Sequence, residues 1–268
     1  MLIYPDINPV AIAIGPLKVH WYGLMYLIGF ALAWTVAHFR AKKPWNNWTG
    51  DEISDLIFYG ALGVILGGRV GYVIFYHFDQ FMQDPVWLFK VWTGGMSFHG
   101  GLIGVLLMML LFSKKTGKGF FEITDFLAPM VPLGFAAGRL GNFIGGELWG
   151  RVASADLPWA MVFPFVDSQP RHPSQLYQFA LEGVTLFVIV FLFSNKQRPK
   201  MATTGLGLLG YGCFRFIVEF FRQPDAHLNF IAFDWLTMGQ VLSSPMILLG
   251  LMLFVFAYKK NNGHGFES

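Results

Sequence analysis

The feature that most limits how this chain can fold is a series of seven long apolar runs. They lie at Val19–Phe39, Ile53–Tyr76, Phe98–Phe112, Phe121–Ile144, Leu176–Phe193, Gly205–Phe221 and Met238–Tyr258. A helix needs about 17–25 apolar residues to cross the roughly 30 Å of hydrocarbon in a bilayer. No water reaches backbone polar groups there, so a spanning segment must pair them internally. Runs of this length do so as helices. The third and sixth are short for a full crossing, so they stand nearly upright or draw on flanking residues. Only 13% of the 268 residues are charged, against about 25% in a soluble domain. The expectation is an all-α, polytopic membrane protein with seven transmembrane helices and irregular outer segments. Spans use up the chain, so residues 1–268 are read as a single helical domain.

Loop charge sets the orientation. Arg40, Lys42 and Lys43 follow the first run, and Lys114, Lys115 and Lys118 the third. Lys196, Arg198 and Lys200 follow the fifth, and Lys259 and Lys260 the seventh. These are more than half of the 19 basic residues, all at one side. By the positive-inside rule that side is cytoplasmic. The N-terminus then lies outside and the C-terminus inside. The outer loops carry Trp87, Trp92, Trp149 and Trp159, rings that favour the headgroup layer. The first twenty residues lack a basic start and contain prolines, unlike a cleavable signal peptide; they read as an irregular or interfacial lead-in. The single cysteine, Cys213, excludes an internal disulfide and a cysteine-based metal cluster. In an apolar helix it reads as a small hydrophobe.

Against this background Gly138–Arg151, G-R-L-G-N-F-I-G-G-E-L-W-G-R, stands out. It ends the fourth run, then breaks it with glycines that let the backbone bend and come close to something. An arginine at the bilayer centre costs roughly 2.5–3.5 kcal/mol on an insertion scale, so such residues face a cavity, a partner or a charged ligand. Arg139 and Asn142 lie three apart, on one helical face. In the sixth run Arg215, Glu219 and Arg222 are spaced i, i+4, i+7, again one face. Arg215 with Glu219 reads either as an internal ion-pair clasp or as part of an anion site. Arg69, Arg139 and Arg215 lie within the runs, with Glu147, Glu182 and Glu219 as the main carboxylates that could neutralise them, and Glu182 has its own place in the fifth run. A guanidinium fits phosphate in a bidentate way, and a bilayer is full of phosphate headgroups. The sequence around Arg69, L-G-G-R-V-G-Y, faintly echoes that around Arg139.

Two further stretches carry chemistry. His99 opens the third run in F-H-G-G-L, where the glycines leave its ring accessible. Imidazole is the usual general base at neutral pH, although an interfacial histidine is the simpler alternative. Tyr22, in H-W-Y-G at the start of the first run, either offers a phenol to a headgroup or anchors in the aromatic belt. His20, His38, His77, His172, His227 and His264 receive no role. No H-x-x-x-H, paired aspartate or cysteine cluster points to a metal, no cofactor is implied, and no nucleic-acid partner is expected. No serine-nucleophile elbow is present, so a substrate must bring the nucleophile. On these residues alone, an enzyme and a transporter or flippase for an anionic lipid remain open, with a structural arginine–glutamate clasp as a third reading.

Taken together, H-W-Y-G-L-M-Y, G-G-M-S-F-H-G-G-L, G-R-L-G-N-F-I-G-G-E-L-W-G-R, R-H-P-S-Q-L-Y and F-R-F-I-V-E-F-F-R-Q-P-D closely resemble the bacterial prolipoprotein diacylglyceryl transferases. The resemblance covers nearly the whole chain. One departure is Gly145, where many relatives are expected to carry asparagine. The backbone can still bend there, but an amide hydrogen bond is lost.

The resemblance implies a seven-span bundle in the bacterial inner membrane with its site toward the periplasmic face. It implies that diacylglycerol passes from phosphatidylglycerol to the thiol of a lipobox cysteine in a prolipoprotein signal peptide, leaving glycerol 1-phosphate. Carried over by motif, Arg139 corresponds to the phosphatidylglycerol-binding arginine. His99, Tyr22, Asn142, Glu147, Gly150, Arg215, Glu219 and Arg222 fall on functionally important positions. The expected catalytic set is His99, Arg139, Arg215 and Tyr22. The expected substrate-binding set is Arg139, Asn142, Glu147, Gly150, Glu219 and Arg222. Glu219 would orient Arg215, Glu147 would orient Arg151 or meet the headgroup glycerol, and Asn142 would bond the headgroup or fix the loop.

Overall fold

The computed structural model describes residues 2–15, 17–90, 93–224, 230–233 and 235–263. Trp92, His227 and His264, and Asp225 at the end of the sixth-run motif, lie outside the described residues. The chain divides into two compact units, Ala37–Thr124 and Met1–Val36 with Asp125–Ser268.

The larger unit opens with strand β1 (Leu2–Ile3) and the hairpin β2 (Val10–Ile14) and β3 (Leu17–His20), which feeds α1 (Trp21–Ala41). The proline-rich lead-in is therefore largely strand. Its Val10–Ile14 and Leu17–His20 stretches are apolar enough to pair antiparallel, and Gly15 after the first has φ +59°, where glycine is strain-free.

In the smaller unit, α2 (Gly50–Tyr76) starts at a capping box. The Thr49 hydroxyl accepts from the Glu52 amide at 3.2 Å, and the Glu52 carboxylate accepts from the Thr49 amide at 2.8 Å. This satisfies two of the orphan amides of the first turn. A short helix α3 (Phe78–Gln83) and a 3-10 turn (Pro85–Phe89) follow, then α4 (Phe98–Thr116), capped by Ser97 and stopped by Gly117 at φ +73°. The helices α2 and α4 meet through Gly63, Gly67 and Gly71 on one side and Gly100 and Gly104 on the other. A Cβ on Gly71 would lie 2.6 Å from the Gly100 Cα, so only small residues let the backbones approach this closely.

Arg69 on α2 is 3% exposed and gives its donors to backbone carbonyls. Its Nε reaches Leu88 O at 3.0 Å, and its Nη2 reaches Trp87 O at 2.7 Å and Lys90 O at 3.1 Å. The guanidinium also stacks 4.5 Å from the Trp87 ring. This arginine pins the loop after α3, and its likeness to the Arg139 stretch is one of sequence only.

The larger unit continues through α5 (Phe120–Leu127), which begins in the smaller one, and α6 (Val131–Ile144). Strands β4 (Met161–Val162) and β5 (Pro170–Arg171) follow. A 20-residue helix then runs over Ser174–Phe193; it comprises α7 (Ser174–Gln178), a π-helical stretch (Phe179–Thr185) and α8 (Leu186–Phe193). The unit closes with α9 (Ala202–Val218) and α10 (Met238–Gly263). Helix α9 packs on α10 through Gly205 and Gly212, where an added Cβ would fall 2.7 Å from Phe254 N and from Ile247 Cγ1.

Among the described residues five helices are long and apolar enough to cross a membrane, at Trp21–Ala41, Gly50–Tyr76, Phe98–Thr116, Ser174–Phe193 and Met238–Lys260. A sixth arises if α5 and α6, bent by 49°, count as one span. The sequence reads seven. The fourth run is broken because Pro129 has no amide to donate to the preceding turn. The sixth run forms α9, a shorter apolar helix. The all-α expectation also needs correction at the end of the molecule that holds α6's C-terminus. There β1 pairs parallel with β4, and β4 antiparallel with β5. Tyr4, Met161 and Phe163 form a small apolar core against Phe143, Trp149 and Val166.

Candidate active site

The sheet just described sets the end of α6. The Tyr4 hydroxyl lies 2.8 Å from both Phe143 O and Ile144 O, its one proton shared between these two carbonyls of the last turn. Beyond it the chain turns sharply: Gly146 has φ +66° and Leu148 φ +58°. For a leucine this left-handed conformation is strained, and it is held from outside. The Ser174 hydroxyl donates to Leu148 O at 2.8 Å, and Gln175 Nε2 donates to Glu147 O at 2.6 Å. The Glu147 amide returns to Asn142 O at 2.9 Å. Gly145 keeps an ordinary helical φ of −77°.

The chain then threads between two other segments. The Gly150 amide donates to His172 O and the Arg151 amide to Phe221 O, both at 2.9 Å. A Cβ at Gly150 would fall 2.7 Å from Phe221 O and 2.8 Å from the His172 side chain, so nothing larger than glycine fits. Gly150 pairs with Arg222 across an isolated bridge. The ends of α6 and α9 are thereby tied into one piece of backbone. His172 sets its Nδ1 3.0 Å from the Tyr177 hydroxyl, and burial lowers its pKa, favouring the neutral ring.

Three carboxylates and four guanidinium groups gather on this frame. Arg139 projects from α6, and its Nη2 donates to Glu182 on the π-helical turn at 3.1 Å. The Glu182 side chain is sealed while that of Arg139 keeps 18% of its surface open. Tyr211 on α9 hydrogen-bonds the same guanidinium. One turn from the end of α9, Arg215 pairs with Glu219, and Arg222 reaches the same carboxylate oxygen at 3.8 Å. The Thr237 hydroxyl donates to the other oxygen of Glu219 at 3.0 Å. Gly239 in the first turn of α10 lies directly over that carboxylate, where a Cβ would be 2.6 Å from Glu219 Cδ. Glu219 is thus fixed from three sides.

Arg151 does not pair with Glu147. Its Nε donates to Arg222 O at 2.9 Å and its Nη2 to Glu219 O at 3.1 Å, so it ties down the chain after α9. Burial lowers its pKa, with the Glu219 charge opposing. Glu147 instead accepts from Asn142 Nδ2 at 3.3 Å.

The sequence-derived residues of the larger unit fall into these linked groups. Arg139, Asn142 and Glu147 lie along the end of α6 and its turn. Arg215, Glu219 and Arg222 close α9, and Gly150 joins the two. Tyr22, at the start of α1, packs on this frame at Gly141, whose added Cβ would lie 2.9 Å from the Tyr22 ring. Its hydroxyl lies 3.5 Å from that of Tyr26. His99 stands in the smaller unit, exposed in the first turn of α4, with its ring edge-on to Phe98.

Sequence reasoning weighed Glu182 only as a neutralising charge and passed over Gln175, Gln178 and Thr237. The signal was available. Gln175, Gln178 and Glu182 stand at i, i+3 and i+7 in an otherwise apolar run, which places three polar groups on one helical face.

Chemically, a cluster with more guanidinium than carboxylate groups in apolar surroundings calls for an anion. Glu182 meets Arg139, and Glu219 is shared by Arg215 and Arg222. A guanidinium keeps several donors beyond one carboxylate contact, and its planar geometry matches phosphate.

A family model described as prolipoprotein diacylglyceryl transferase matches residues 9–256. A protein of Legionella pneumophila (strain Lens) named phosphatidylglycerol–prolipoprotein diacylglyceryl transferase is 61% identical over 254 residues, covering 95% of this chain and 98% of its own. A protein of the same name from Coxiella burnetii (strain RSA 331 / Henzerling II) is 60% identical over 259 residues, covering 97% of this chain and 98% of its own. Both relatives align across the α6 turn and the α9 terminus where the cluster is built, and on this likeness the chain belongs to the prolipoprotein diacylglyceryl transferase family.

Proposed function

We propose that this chain is a multi-pass bacterial inner-membrane enzyme that moves diacylglyceryl from phosphatidylglycerol to the thiol of a prolipoprotein's lipobox cysteine, the first step of lipoprotein maturation. Glycerol 1-phosphate leaves, and the product is a thioether. The observation that carries the reading is the part-open Arg139 guanidinium on α6, paired among the described residues with a sealed Glu182 in a chain of this family. The family match spans both compact units, which supports treating the chain as one functional domain. Loop charge supports an outer N-terminus, an inner C-terminus and a periplasmic site. If α5 and α6 form one span and α9 crosses with the turn after it, the count returns to seven.

The attacked atom is the glycerol CH2 bonded to the phosphate oxygen. As the C–O bond breaks, charge grows on that phosphate. Arg139 and Arg215, fixed in a dry setting, stabilise it there better than reorganising water would. Asn142 and Glu147 hold each other across the turn and face the headgroup. Glu219 and Arg222 set the position of Arg215, Gly150 lets the backbone close, and the Tyr22 phenol donates to the substrate. The thiol, with an ordinary pKa of about 8.5, is mostly protonated at neutral pH, so attack requires a base. We assign this to His99, whose imidazole is exposed in the first turn of α4.

The test uses the full-length protein in phosphatidylglycerol-containing micelles with a lipobox peptide. Stoichiometric release of glycerol phosphate with thioether formation supports the transferase. Lipid redistribution with no release supports the flippase reading and defeats this one. In the same assay His99→Gln should cut kcat by about 10²–10⁴-fold, the usual contribution of a general base, and raising the pH should restore part of the rate as thiolate forms. Loss of lipid affinity with kcat intact would make His99 a binding residue instead.

A further inference from the structure

The long helix that begins at Ser174 packs antiparallel to α6. Gly183 lies against Ala136, Glu182 pairs with Arg139, and Gln175 holds Glu147 O. This register places Gln178 level with the stretch between Arg139 and Glu147, on the same face as Glu182. Gln175, Gln178 and Glu182 have no exposed surface. Yet among the described residues neither the nitrogen nor the oxygen of the Gln178 amide has a partner. The Oε1 atoms of Gln175 and of Glu182, on either side of it, are also unpartnered. Buried polar groups are nearly always satisfied in folded proteins. One donor and three acceptors are thus left unmet along one buried helical face, and the π-helical turn that carries Glu182 is a form common at functional sites.

We propose that Gln178 reads the glycerol headgroup of the donor lipid and is a specificity-determining residue for it. The inference rests on the proposed transfer from phosphatidylglycerol. With the phosphate at Arg139, the next atoms of that lipid are a glycerol with two adjacent hydroxyls. Each hydroxyl donates one hydrogen bond and accepts others. The Gln178 amide complements such a diol, its nitrogen donating to one oxygen and its carbonyl accepting from it or its neighbour. The free oxygens of Gln175 and Glu182 accept the remaining proton. An ethanolamine headgroup brings only donors, so it would leave the Gln178 nitrogen unmet. A headgroup without hydroxyls would leave the whole column unmet.

The experiment compares two donors with identical acyl chains, phosphatidylglycerol and phosphatidylpropanol, on the full-length chain. Wild type should favour phosphatidylglycerol in kcat/KM by about tenfold or more, as expected where a buried site bonds a substrate hydroxyl. Gln178→Leu and Gln178→Met should lose most of that preference by slowing phosphatidylglycerol while phosphatidylpropanol transfer holds. An equal slowing of both donors would make Gln178 a structural amide and overturn the proposal, as would an unchanged ratio. A readout independent of folding uses wild type alone: glycerol 1-phosphate should inhibit at lower concentration than propyl phosphate, and equal inhibition also overturns it. Wild-type protein inert on both lipids would sink the transferase reading itself, an outcome separate from a failure of headgroup selection.

Discussion

Arg139→Ala is expected to lower kcat/KM for transfer by about 10²–10³-fold or more, the scale seen when a preorganised donor to a developing oxyanion is removed. The argument starts from the setting. Arg139 stands on an apolar helix, with Glu182 and the Tyr211 phenol among its partners. Neither partner moves far, because Glu182 is sealed and packed beside the close Gly183–Ala136 contact. The guanidinium is therefore aimed before substrate arrives, so little reorganisation is needed as charge grows on the departing phosphate. Arg139→Lys keeps the charge but loses the planar fork, and a point charge cannot hold two phosphate oxygens at once. It should recover only part of the rate. Removing Arg139 also strands Glu182, so Arg139→Ala/Glu182→Gln is the control for folding. The measurement is kcat/KM on protein shown by thermal unfolding to be intact. Near-normal transfer by the folded Ala variant would remove Arg139 from the chemistry.

The sequence was most readable where membrane physics leaves few choices. Charge at membrane depth is costly, so Arg139, Arg215 and Glu219 stood out in apolar runs, and the structure gives each a partner. The i, i+4 spacing of Arg215 and Glu219 was enough to foresee their pairing. The glycines of Gly138–Arg151 announced a turn, although not which residue would take the strained conformation. That fell to Leu148, whose carbonyl is held by the side chain of Ser174, distant in sequence. Arg69 sits in a stretch that only faintly echoes that of Arg139, and its partners are carbonyls of a loop some twenty residues on, which no local pattern reveals. The fourth run bends at Pro129, where hydropathy stays high but the proline has no amide for the preceding turn, a bend that hydropathy does not show. The polar column at Gln175, Gln178 and Glu182 was hidden for the opposite reason. Glutamine in a hydrophobic run costs little attention, and its importance rests on burial that only packing defines.

The other large effect is expected at Glu219. Its carboxylate is shared by Arg215 and Arg222, receives the Thr237 hydroxyl, and is roofed by Gly239. Glu219→Gln keeps the shape and one acceptor for Thr237 but removes the charge. Two guanidinium groups are then left in an apolar setting without their carboxylate. Breaking a buried pair from one side typically costs about 3–5 kcal/mol, a large share of the roughly 5–15 kcal/mol that holds a typical domain folded. The variant should unfold at a clearly lower temperature in detergent, and transfer should fall as well, because Arg215 loses its aim. Glu219→Gln/Arg215→Met separates the two effects. Replacing a buried ion pair by apolar groups of similar volume is often neutral or stabilising, so the double variant should regain much of the lost thermal stability while remaining inactive. Stability restored together with activity would mean that Arg215 serves only the fold. A single Glu219→Gln variant that melts at the wild-type temperature would show that the arginines at the end of α9 do not depend on this carboxylate.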